Sequence, residues 1–128
     1  MTSISPPATP IVLGITGASG LIYAVRMLKF LLDANYAVDV VSSKATAIVW
    51  KAEQGIQMPL EPKPQAQFWR QQCGSTGGTL VCHAWSDVGS RIASGSFRTL
   101  GMIVIPCSMG TVGKLAAGLS TDLVERSA

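Results

Sequence analysis

The chain has 128 residues, of which 48% are hydrophobic and 13% charged, and carries a net charge of +3. That length fits one domain, and the excess of apolar over charged residues points to a buried parallel sheet or a large subunit interface. The ten Lys and Arg are dispersed from Arg26 to Arg126, which favours small phosphate ligands over nucleic acid, and no run reaches the roughly 18 apolar residues of a membrane span.

Residues 1–9 are rich in Ser, Thr and Pro and uncharged; they read as a loose tail without the features of a signal peptide, ahead of one domain over 10–128. The apolar run Ile11 to Ile15 predicts a buried strand. It stops at Thr16-Gly17-Ala18-Ser19-Gly20 and gives way to a helical spacing of apolar residues from Leu21. Glycines at 14, 17 and 20 and a serine at 19, at a strand-to-helix switch, suit a phosphate, which the N–H groups and positive end of the helix would face. The plainer alternative is that small residues here only pack strand on helix.

Ala37 to Ser43 predicts a second strand after the short Asn35-Tyr36 connection, forming a βαβ unit. A dinucleotide fold places an acid at the tip of this strand. Here Asp39 lies inside it and Ser42, Ser43 and Lys44 stand at the tip, which suits a phosphate or a flavin better than a ribose. Lys44 to Glu53 predicts a helix with Ser43 as N-cap. Gln54 to Pro64 is expected to be irregular, Gln65 to Cys73 a short helix, and Leu80 to His83 a short strand. A polar loop over Trp85 to Ser96 precedes a buried strand over Leu100 to Ile105. That strand ends at Pro106-Cys107-Ser108-Met109-Gly110-Thr111, ahead of a helical segment over Val112 to Ala117. Two small-residue loops at the C-terminal ends of strands bracket a crevice of the kind in which open α/β sheets bind ligands. The final segment, from Ser120, opens well as a helix and ends within barely two turns, as though cut inside an element.

Cys73, Cys82 and Cys107 are an odd number without CxxC spacing, so neither a disulfide framework nor a zinc site is indicated and a reducing cytoplasm is expected. His83 lacks a partner at ligand or triad spacing and reads as structural. Cys107 reads as a small buried thiol, and Trp50, Trp69 and Trp85 as core or interface aromatics, with Trp85 also a candidate for a substrate pocket.

Taken together, Thr16-Gly17-Ala18-Ser19-Gly20 with Tyr23, Ser43-Lys44-Ala45, Ala93-Ser94-Gly95-Ser96-Phe97, Pro106 to Thr111 and Leu123-Val124-Glu125-Arg126 resemble the UbiX flavin prenyltransferases, in one register from Pro10 to Ala128. The resemblance implies an α/β, Rossmann-like or flavodoxin-like three-layer sandwich with a parallel sheet. It also implies FMN at a subunit interface, a homo-oligomer (a dodecamer), and no metal. The implied reaction transfers a dimethylallyl group from dimethylallyl phosphate to N5 and C6 of reduced FMN, and the prenylated FMN serves UbiD-type decarboxylases in ubiquinone biosynthesis or aromatic-acid decarboxylation.

By position, the resemblance assigns FMN contacts to Gly17, Ala18, Ser19, Ser43, Ser108, Met109, Gly110 and Thr111. Ser19 falls near the reacting N5 edge, Ser94, Gly95 and Arg126 at the prenyl phosphate, and Glu53 near the flavin as a proton relay. The chain departs from the pattern in lacking the C-terminal third, which supplies a lysine, an Arg-Glu pair, and a Tyr and an Arg of the phosphate site. Loss of that third from the natural protein would leave weak flavin binding and no prenyl transfer. The alternatives are a flavin-dependent cysteine decarboxylase, whose catalytic histidine follows the second strand, and an NAD(P)-binding short-chain-dehydrogenase-like domain, which needs a Tyr-x-x-x-Lys pair. Neither signature is present. A non-catalytic flavin-binding fragment is a further possibility.

Overall fold

A computed structural model describes residues 9–86 and 98–107. Four strands, β1 (Ile11–Ile15), β2 (Ala37–Ser42), β3 (Thr79–His83) and β4 (Gly101–Val104), form one sheet in the order β3-β2-β1-β4, with every pairing parallel. Helix α1 (Leu21–Asp33) connects β1 to β2, and α2 (Lys44–Gln54) and α3 (Pro62–Cys73) lie between β2 and β3.

The apolar alternation on the strands decides which face meets the helices. Leu13 and Ile15 of β1, Val38 and Val40 of β2 and Cys82 of β3 point to one side. There they join Leu21, Ala24, Val25, Leu28, Leu31 and Leu32 of α1 in a single cluster. Trp50 of α2 and Phe68 and Trp69 of α3 complete it as a mutually edge-on trio, with ring centroids 5.2 to 5.4 Å apart. Val12 and Val41, of opposite parity, are buried as well, so β1 and β2 are buried on both faces, with the polar Asp39 enclosed on the same side as Val41.

Helix α3 begins earlier than the sequence reading. Pro62 and Pro64 fall in its first turn, where a missing N–H breaks no intrahelical bond, so prolines that looked like breakers open the helix. Arg70 then reaches past the end of α3 and donates to the carbonyls of Ser75, Gly77 and Gly78, which holds the loop into β3. The same loop is tied to the end of α1 by Ser75 Oγ donating to Asp33 Oδ1 at 2.7 Å and by the Gly78 N–H donating to Asn35 Oδ1 at 3.2 Å.

From β1 the chain moves outward to β2 and β3, and it returns to β4 on the other side of β1. The strand order therefore reverses between β1 and β4, and the C-terminal ends of those strands form the crevice in which open α/β sheets take ligands.

Candidate functional site

The crevice is built on the last peptide of β1. The Ile15 carbonyl accepts two hydrogen bonds from the start of α2, one from the Ser43 N–H at 2.8 Å and one from Thr46 Oγ1 at 2.7 Å. On the other side, the Thr16 N–H (3.1 Å) and Thr16 Oγ1 (2.6 Å) both donate to the Pro106 carbonyl beyond β4. The strand end is thus clamped between the β2–α2 junction and the loop after β4, and both neighbouring walls are registered to it.

Gly17 comes next, and its position explains its identity. A Cβ there would stand 2.5 Å from the Ala45 Cβ and 2.8 Å from the Ala45 carbonyl carbon, so the loop lies directly against the first turn of α2. Gly20 is the N-cap of α1 at φ 93°, a conformation that L side chains rarely adopt, and as glycine it offers no capping side chain. Ser43 occupies the N-cap of α2, but the expected bond from its hydroxyl to the helix backbone is not made. Its Oγ lies 3.1 Å from Thr46 Oγ1 instead. Two helix N-termini therefore converge on the end of β1 without a side-chain cap, and neither carries an acid in its first turn. Their unshared N–H groups and positive dipole ends suit a phosphate or another anion.

The sequence-assigned residues distribute as follows. Gly17 and Ala18 are half-buried in the β1–α1 loop, Ser19 is exposed on its rim and Ser43 is half-buried opposite. Glu53 is exposed near the end of α2, in line with Ala45 and Val49 at a spacing of four, so it shares the helix face that meets Gly17. Ser94, Gly95, Ser108, Met109, Gly110, Thr111 and Arg126 lie outside the described residues, as do the segments Val112 to Ala117 and Ser120 to Ala128 and most of the loop over Trp85 to Ser96.

Sequence reasoning passed over Thr46, which is fully buried. The available signal was its spacing of three from Ser43, the reach of a side-chain contact across one helical turn. His83 has a partner that the spacing hid: its Nε2 lies 2.9 Å from Asp39 Oδ2, and both side chains are almost fully buried. Adjacent parallel strands bring the two together, since Asp39 faces Val81 and His83 stands two residues on. Asp39 is thereby held inside the sheet against His83 and does not stand at the strand tip where a ribose would be read. Burial, with the Asp39 carboxylate nearby as the smaller cause, pushes the Cys82 thiol up to about 12, so Cys82 is no nucleophile at neutral pH. Cys107 is half-buried on the β4 side of the crevice.

Outside the crevice, α2 presents Lys44, Ala47, Ile48, Lys51 and Ala52 to an open groove of about 670 Å3 that Leu60 and Trp85 also line. Lys44 Nζ sits 5.5 Å from the centre of the Trp85 ring, and Ile48 is 69% exposed.

The chain is 61% identical over 122 residues to the flavin prenyltransferase UbiX of Synechocystis, covering 94% of this chain and 59% of that protein. It is 41% identical over 115 residues to the flavin prenyltransferase UbiX of Alkalihalophilus pseudofirmus, covering 90% and 56%. The chain thus spans somewhat more than half the length of the curated relatives it matches. Among solved structures, AnUbiX (PadA1) in complex with FMN and dimethylallyl pyrophosphate superposes with a TM-score of 0.74 at 29% identity, over 94% of this chain and 56% of that one. A dodecameric FMN-dependent UbiX-like decarboxylase from Escherichia coli O157:H7 gives 0.73 at 32% identity, over 93% and 58%. These likenesses fix the flavodoxin-like α/β fold. The Flavoprotein family model matches residues 3–128, and the chain belongs to that family.

Proposed function

We propose that this chain is the FMN-cradling part of a flavin prenyltransferase, which transfers a dimethylallyl group from dimethylallyl phosphate to N5 and C6 of reduced FMN. The observation that carries the reading is the convergence of two uncapped, acid-free helix N-termini at the end of β1, with Gly17 pressed on Ala45 between them. That donor set fits FMN: backbone N–H groups meet an anionic ligand without a competing carboxylate in either first turn, while the Ser43 hydroxyl, whose proton goes to Thr46 Oγ1, is left to accept from a flavin ring N–H. The buried Asp39 argues against a dinucleotide. The relatives named flavin prenyltransferase, and the neighbour solved with FMN and dimethylallyl pyrophosphate, support the same reading.

Bound reduced FMN supplies the nucleophilic ring edge. In this reading Gly17, Ala18 and Ser43 would bind and orient it, with Ser19 assigned to the reacting edge and Ser108, Met109, Gly110 and Thr111 to further flavin contacts. Departure of phosphate from an allylic carbon develops negative charge on the leaving group, which fixed donors stabilise. Ser94, Gly95 and Arg126 are assigned that task, and Glu53 the removal of a proton from the flavin. Holding both reactants in one crevice would contribute most of the rate by removing the entropy cost of their encounter.

The chain works as a homo-oligomer, a dodecamer in this reading, and the apolar outer face of α2 is a surface suited to a second copy. Its product would serve a UbiD-type decarboxylase in the cytoplasm. Among the described residues no helix is long and apolar enough to cross a membrane. The test is direct: the purified chain should quench FMN fluorescence, and a flavin heavier by one prenyl unit should form from reduced FMN and dimethylallyl phosphate when the chain is joined to the C-terminal third of a relative. A thermal shift with NADH and none with FMN would overturn the flavin reading.

A further inference from the structure

The Thr46 hydroxyl is in an unusual place for the side chain of a helix that packs on a sheet. It is fully buried at the third position of α2, where Ala or Val would fill the same space without desolvating a hydroxyl. Nor does the strand need it, because the Ile15 carbonyl already accepts the Ser43 N–H. A threonine hydroxyl has one proton, and a carbonyl oxygen can only accept. Since Thr46 Oγ1 donates to the Ile15 carbonyl, its 3.1 Å contact with Ser43 Oγ has Ser43 as donor. The Ser43 side chain is thereby fixed in direction, and the peptide that leads into Thr16 and Gly17 is held by the same group.

We infer that Thr46 is a positioning residue, which couples the two ligand-facing loops by orienting the Ser43 hydroxyl and the Ile15–Thr16 peptide together. The role rests on the proposed FMN site for its consequence in binding, but not for its consequence in the ligand-free chain. Its neighbours support it. Ala45, one residue earlier, is the surface against which Gly17 lies, and the Thr16 N–H on the far side of the same peptide is held by the Pro106 carbonyl. A change at Thr46 is therefore transmitted to both loops with no direct contact to a ligand.

The test uses Thr46→Val, which keeps the shape and removes the hydroxyl, with Thr46→Ser as the conservative control. In the ligand-free chain, hydrogen exchange at the Ser43 amide should rise about tenfold in Thr46→Val and extend into residues 16–20, while Thr46→Ser stays close to the starting protein. In FMN titrations, Thr46→Val and Ser43→Ala should each weaken binding about tenfold, and the double variant should lose little more than either alone, because one residue acts through the other. Unchanged exchange at Ser43 and the β1–α1 loop would overturn the inference. So would a double variant whose losses multiply to about a hundredfold, which is the signature of two independent effects. If the unsubstituted chain fails to bind FMN, the cofactor reading falls, and the exchange measurement alone decides the role of Thr46.

Discussion

Gly17 shows how a single residue type can be required by its neighbour and not by its own backbone angles. Any side chain there would meet Ala45 at 2.5 Å, against backbone as well as a methyl group, and neither can rotate away. Gly17→Ala is therefore expected to cost about 1–3 kcal/mol of stability through overpacking and backbone shift. It should also weaken FMN binding more than its stability loss explains, because the β1–α1 loop is pushed off α2. Chemical denaturation set beside an FMN titration checks this, and an alanine variant with unchanged stability would contradict the close approach. Asp39 and His83 teach the converse lesson. Both residue types suggest chemistry, yet each is buried against the other across β2 and β3.

At the scale of elements, the loop from α3 to β3 depends on one cation. The Arg70 guanidinium serves three carbonyls in succession, so removing it leaves three part-buried acceptors without their donor. Arg70→Met, which keeps much of the apolar stem, should lower stability by roughly 1.5–3 kcal/mol, the range for hydrogen bonds from a charged group. Hydrogen exchange should rise first at residues 74–79, and a uniform rise over the whole sheet would argue against a local clamp. Asp33 fastens the other side of that loop. The Lys29 ammonium, with the Ser75 hydroxyl second, holds its carboxyl below the ordinary value of 3.8. The contribution of Asp33 is therefore present above the ordinary carboxylate pKa and is lost only as the pH falls through the lowered one.

At the scale of the whole molecule, the composition of the chain and the surface of the fold point the same way. An unusually apolar sequence leaves Ile48 69% exposed and Leu60 53% exposed around the outer groove of α2. Isolated exposed apolar residues are ordinary, but Ile48 and Leu60 line one groove, flanked by Lys44 and Lys51, and an apolar groove with a charged rim suits an interface. Ile48→Asp should leave the fold and its melting temperature close to unchanged, since the side chain is exposed, and should reduce the size of the assembly measured by light scattering. An assembly of unaltered mass would remove this face from the interface.

The positions of the strands, the first two helices, the parallel class of the sheet and the glycine-bearing β1–α1 loop were legible in the sequence, but β4, expected to be buried, is exposed to half-buried at the edge of the sheet. The legible features follow from periodicity and from glycine at a strand-to-helix switch, which are local properties of the chain. The sequence misjudged where α3 begins, because proline breaks a helix in its middle and opens one at its start, and only the surrounding fold distinguishes the two. Tertiary structure alone decided what touches what at the end of β1. Gly17 against Ala45, Thr46 on the Ile15 carbonyl, Thr16 on Pro106 and Asp39 against His83 are contacts between residues brought together by parallel pairing and helix packing. Residue spacing records the period of an element, whereas the partner of a buried polar group is chosen by the strand that pairs beside it.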